Sequence, residues 1–237
     1  MQMKRKSFSS LAILFCSIFL LSACSKEENT TDGKISYKME PSNLTASVGA
    51  TVSESGLVVD INSKSSLTWE AGYVTIDALD FEAKKDDQEI EYKLAKPVTV
   101  DIFKLSQEFG SVKVPAGTYE EIEFELVLKK QTTGNVFAVS GQYKDAAGKQ
   151  TPVEFNYNED VSLKLEAENL TVNTSEDYTG LLTLQLNKLV SYVSSSDFDS
   201  ATKNASGTIV ISSTSNVALF NKIKAGLASF IKAEFKY

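Results

Sequence analysis

The chain has 237 residues, 42% hydrophobic and 23% charged, enough apolar material for a real core, and this excludes wholesale disorder. It has no histidine, and its one arginine, Arg5, lies with Lys4 and Lys6 in a stretch that reads as a removable leader; of 24 basic residues the remaining 21, all lysines, face 31 acidic ones, a formal balance of −10. That balance excludes sequence-independent nucleic-acid binding, and the inventory excludes Ser-His-Asp and Cys-His hydrolysis, histidine zinc sites and arginine-clamped phosphoryl transfer, leaving carboxylate chemistry, lysine chemistry or none.

Residues 1–23 have the form of a secretory signal: a basic start, an apolar stretch from Leu11 to Leu21, then small residues. The apolar stretch has eleven residues, short of the roughly 20 needed to cross a bilayer as a helix. Leu21-Ser22-Ala23-Cys24 resembles the lipobox of bacterial lipoproteins, which implies that the Cys24 thiol carries lipid and becomes the first mature residue. Cys16 falls inside the leader, so the mature chain has no internal disulfide. Several acyl chains, at about 0.8 kcal/mol per buried methylene, would make the attachment effectively permanent. Residues 24–32 form a flexible tether, in which the eight residues Ser25 to Asp32 reach at most about 26–29 Å. Lys26, Glu27 and Glu28 resemble the export signal that sends Bacteroidota lipoproteins to the cell surface; retention on the periplasmic face is the competing expectation.

Residues 33–237 are expected to form one mostly β domain, an antiparallel sandwich with a C-terminal helix. Alternation is clearest from Tyr119 to Leu128, with Ile122, Phe124, Leu126 and Leu128 on one face and Glu121, Glu123 and Glu125 on the other. It recurs around Ile90, Tyr92 and Leu94 and around Val161, Leu163 and Leu165. Further strands are expected at Ile35–Met39, Leu57–Ile61, Tyr73–Ala83, Val98–Phe103, Val136–Tyr143, Val153–Tyr157, Leu181–Leu186 and Thr208–Ser212. Pro115-Ala116-Gly117-Thr118 reads as a corner and Asp145-Ala146-Ala147-Gly148 as a hairpin loop. A short helical turn is expected at Leu189–Val193. Asn216 is expected to cap a helix whose stripe is Val217, Phe220, Ile223, Leu227, Phe230 and Ile231.

Trp69-Glu70-Ala71-Gly72-Tyr73-Val74-Thr75-Ile76 with Leu79-Asp80-Phe81-Glu82, Val100-Asp101-Ile102-Phe103 with Val114-Pro115-Ala116-Gly117-Thr118-Tyr119, and Gly207-Thr208-Ile209-Val210-Ile211-Ser212 are similar to segments of bacterial envelope lipoproteins of a domain-of-unknown-function type. The resemblance implies a transthyretin-like β-sandwich, related to the immunoglobulin-like architecture, and an envelope address. It brings no catalytic residues.

Trp69 and Tyr73 are the candidate glycan contacts if they face outward, with Tyr143 and Tyr178 as further platforms; inward, Trp69 is core. Glu121, Glu123 and Glu125 are weighed as calcium ligands or a glycosidase pair and read instead as a solvated face, since no cleft raises a carboxyl pKa there. Asn156, Asn158 and Asp160 alternate oxygen ligands but lack the glycine and distal glutamate of a calcium loop. Asp199-Ser200-Ala201 matches the O-glycosylation acceptor of secreted Bacteroidota proteins, making Ser200 the candidate site. The expected protein is a surface-exposed, outer-membrane lipoprotein, held to the membrane by acyl chains on Cys24. It acts without catalysis, cofactor, metal or nucleic acid and binds a glycan or a protein. A fimbrial subunit and a carboxylate-dependent glycosidase are the alternatives.

Overall fold

A computed structural model of the chain describes residues 32–49, 64–86, 88–93, 96–104 and 107–236. The leader, Cys24, the Lys26-Glu27-Glu28 triplet and the expected strand Leu57–Ile61 lie outside them.

The described chain is mostly β. Its strands in chain order are β1 (Asp32–Ser42), β2 (Thr45–Ser47), β3 (Ser66–Ile76), β4 (Ala78–Lys85), β5 (Gln88–Lys93), β6 (Val98–Asp101), β7 (Glu108–Pro115), β8 (Gly117–Leu128), β9 (Phe137–Lys144), β10 (Gln150–Tyr157), β11 (Val161–Val172), β12 (Asp177–Gln185), β13 (Ile209–Ile211) and β14 (Ile231–Lys236). They build three sheets. The first has the order β14-β12-β1-β7, the second β11-β8-β4-β5, and the third β13-β10-β9-β3-β2 with β6 alongside β3.

Local chemistry accounts for the corners. Pro115 ends β7, and Gly117 opens β8 at φ +149°, a backbone conformation that residues with a side chain rarely adopt. The Tyr119 hydroxyl then donates back to the Pro115 carbonyl at 2.6 Å, tying corner to strand. Between β9 and β10, Asp145 accepts from the backbone N–H groups of Ala147 and Lys149, each at 2.9 Å, and Gly148 takes φ +87°.

Inward residues follow the alternation read for β8: Ile122, Phe124, Leu126 and Leu128 are buried. Phe124 meets Tyr37 of β1 edge-on at 4.4 Å between centroids, Phe81 of β4 at 5.2 Å and Phe235 of β14 at 5.4 Å. The contacts with Tyr37 and Phe235 hold the first and second sheets face to face, an arrangement consistent with a sandwich. The third sheet turns its inner face to short helical segments: Tyr143 stacks on Phe198 of α1 (Ser195–Asp199) at 4.6 Å, and Phe155 meets Phe220 of α2 (Val217–Gly226) at 5.8 Å.

The structure departs from the sequence reading in several places. Two pairings are parallel, β1 with β12 and β10 with β13, because alternation fixes which side chains face in but not the direction of the neighbour. Glu108–Pro115 is an additional strand, and Tyr73–Ala83 is not one strand but parts of β3 and β4, broken at Asp77 as the chain leaves the third sheet for the second. The helical turn comes earlier than expected, at Leu186–Val190. The terminal helix stops at Gly226, whose Cα packs against the backbone of that turn, and Ile231 belongs to β14, where pairing with β12 overrides the helical spacing. Val217 is 46% exposed instead of buried, and Asn216, at φ +50°, stands at the N-cap position with its carbonyl accepting from the Phe220 N–H at 2.9 Å, but its side chain makes no capping bond. Its amide instead donates to the carbonyls of Thr202 and Val210 and accepts from the N–H of Thr202.

Candidate functional site

β3 carries the feature that shapes the site. Leu67 and Trp69 point inward and so do Val74 and Ile76, which strict alternation forbids. The register against β9 shifts between Trp69 and Ala71, where Trp69 pairs with Gly141 and Ala71 with Ser140, so Glu70 is the extra residue of a β-bulge. Gly141 makes room for it: a Cβ there would press into the Thr68 carbonyl and stand 2.8 Å from the Trp69 Cα. Past the bulge the parity is reversed. Trp69 is therefore core, 1% exposed with its indole N–H donating to the Leu186 carbonyl at 3.3 Å, and the reading of it as a glycan contact is corrected.

Tyr73 goes the other way. It lines a groove of about 670 Å³ on the open face of the third sheet, a volume in the range of ordinary ligand sites. The floor is two strands wide, Ala71 and Gly72 of β3 beside Ala138, Val139 and Ser140 of β9. One wall is Thr99 and Asp101 of β6 with Lys104 and Gln107 beyond it; the other is Glu154 and Asn156 of β10. Strand pairing sets Asp101, Tyr73, Ala138 and Asn156 in one row across the sheet, and Ala71, Ser140 and Glu154 in the next. Asp101 accepts from the Phe103 N–H at 3.0 Å, and the Asn156 oxygen accepts from Asn135 at 3.1 Å. The Gln107 amide oxygen is buried in the wall without a hydrogen-bond partner among the described residues.

The other candidates have different fates. Tyr143 and Tyr178 are buried, so neither is a platform. Burial, then the bond to Asp199 at 3.0 Å, pushes the Tyr143 hydroxyl up to about 12. Glu121, Glu123 and Glu125 face outward from β8, opposite its buried residues. Asn158 and Asp160 pin the loop after β8: Asn158 exchanges two bonds with the Gln131 backbone, at 2.8 and 2.9 Å, and Asp160 accepts from the Lys130 N–H at 2.7 Å. Among the described residues no three carboxylate or thiol groups stand close enough to hold a metal ion, and no helix is long and apolar enough to cross a membrane.

Ser200 is exposed just past α1, with its hydroxyl donating to the Ser196 carbonyl at 2.7 Å. The neighbouring Asp197 accepts from Ser194 and takes two bonds of 2.7 Å from Lys222, clamping α1 to α2. Burial pushes its carboxyl up, but these bonds outweigh it and hold it below the ordinary value.

Compared with protein-family models, curated proteins and solved structures, the chain matches none.

Proposed function

We propose that this protein is a lipid-anchored β-sandwich of transthyretin-like type, displayed on the outer membrane, that holds a ligand in the groove beside Tyr73 and performs no chemistry on it. The groove carries this reading: it is large, lined by side chains able to donate and accept, and built on strands paired on both sides. Its carboxylates support a binding role over a hydrolytic one. Asp101 and Glu154 stand on strands three steps apart, their backbones about 14 Å apart across the sheet, a wider base than the roughly 5–9.5 Å between the carboxyl groups of a glycosidase pair.

The anchor and address rest on Leu21-Ser22-Ala23-Cys24 and Lys26-Glu27-Glu28. Labelled palmitate is expected in the wild-type chain and not in Cys24→Ser. Protease added to intact cells should degrade the wild type, while replacement of the triplet by alanines should protect it. Label retained in the serine variant, or protection of both strains, overturns the anchor or the surface address respectively.

A further inference from the structure

We infer that the groove takes a single extended chain of neutral sugars, an inference that rests on the groove being the binding surface. Its floor strands β3 and β9 are interior to the sheet, with backbone groups paired to each other and to β6, β2 and β10. A peptide that docks by strand addition needs a free edge, and this floor offers none. Recognition therefore runs through side chains.

Those side chains suit a carbohydrate. Tyr73 supplies a ring on which the C–H face of a pyranose can pack. Thr99, Ser140 and Asn156 both donate and accept, as sugar hydroxyls do, and Asp101 and Glu154 accept from them. Small residues on the floor, Ala71 and Ser140, let a ring lie close to the sheet. With about 14 Å between the backbones of β6 and β10, less the side chains that rise from them, one chain fits between the walls.

Charge narrows the class further. Asp101 and Glu154 stand on opposite walls, Lys104 is the groove's one cation among the described residues, and the described chain has no arginine to grip a carboxylate or sulfate. A uronic acid or sulfated sugar would meet a like charge on both sides; a neutral hexose or pentose chain meets acceptors.

The test uses the full-length lipidated protein in nanodiscs, titrated with hexasaccharides of neutral glucan, mannan, galactan and xylan, with oligogalacturonate and heparin-derived hexasaccharides, and with an extended-peptide library. At least one neutral series should bind, and the anionic ones and peptides should not. Tyr73→Ala and Ala71→Arg should each weaken binding tenfold or more; Ala71 is exposed, so its variant should melt as the wild type does. Asp101→Asn with Glu154→Gln should admit the anionic chains. Preference for anionic sugars or peptides, neutral binding that survives both groove variants, or no binding across the panel overturns the inference. Palmitate labelling and protease access would still report separately on anchor and address.

Discussion

Trp69 and Tyr73 lie on one strand, yet the extra residue at Glu70 makes one a core residue and the other a groove residue. Their truncations should therefore separate. Trp69→Ala removes the largest fully buried side chain and its bond to Leu186, and by analogy with other large aromatic deletions it should cost about 3–5 kcal/mol. Tyr73→Ala, at a half-buried outward position, should leave stability close to wild type while weakening ligand binding tenfold or more. The bulge itself depends on Gly141. A methyl group there meets backbone on the facing strand, which cannot turn aside as a side chain would, so Gly141→Ala should cost about 1–3 kcal/mol and weaken binding by tilting Ala71 and Tyr73. Denaturant midpoints with one binding isotherm per variant check all three. Equal stability loss at Trp69 and Tyr73 would refute the split in facing.

The second sheet shows what strand pairing creates beyond any one strand. Cross-strand register sets Glu91, Glu82, Glu123 and Glu166 side by side on its outer face, one from each of its four strands. Like charges directly opposite one another are destabilising. Lysines occupy the rows on either side, and Lys164 reaches Glu123 at 2.5 Å. Glu82→Lys turns two repulsions into attractions and should raise stability by about 1 kcal/mol at low ionic strength, a gain that added salt should erode; urea midpoints at low and high salt measure both. β8 was readable as a half-buried strand, since it runs without a bulge and its glutamates alternate regularly, whereas β4 was read as part of one Tyr73–Ala83 strand and β5, also read as half-buried, is mostly exposed. The rung was not, because it depends on which strands pair and in what register. The groove follows the same rule. Tyr73 was the one candidate glycan contact that lines it, and Asn156 was marked only as an alternating oxygen ligand with Asn158 and Asp160, whereas Lys104, Gln107 and Glu154 arrive from distant stretches with no local mark. β14 was hidden for a related reason: Ile231 continues the helical spacing of Phe220 and Ile223, and only pairing with β12 makes it a strand.

Across the whole molecule, a contiguous core runs from Ile35 to Phe230 through all three sheets, so heat or denaturant should unfold the domain in one transition. The composition then dictates how that transition responds to pH. With no histidine, and with both cysteines outside the described residues, no side chain of the domain ordinarily titrates between the carboxylates and the tyrosines. Stability should be flat from about pH 5.5 to 9. At the acid end Asp197, Glu108, Glu176 and Glu234 are held below their ordinary values, so the stability they contribute is present above the unfolded carboxylate range and lost as pH falls through their lower folded values. At the alkaline end Tyr37, Tyr119, Tyr143, Tyr157 and Tyr178 are all pushed up, chiefly by burial. A tyrosine whose folded value exceeds the unfolded one, about 10, contributes fully below that value and loses its contribution as pH rises through the folded value, about 12 for Tyr143. Urea midpoints followed by the fluorescence of Trp69, the one tryptophan, should therefore hold level through neutrality and fall beyond pH 10. Tyr143→Phe removes one of the ionising groups and should make the alkaline fall shallower while lowering the plateau, since the bond to Asp199 is lost. A slope centred between pH 6 and 8 would contradict the account, because the described domain holds no side chain that ordinarily titrates there.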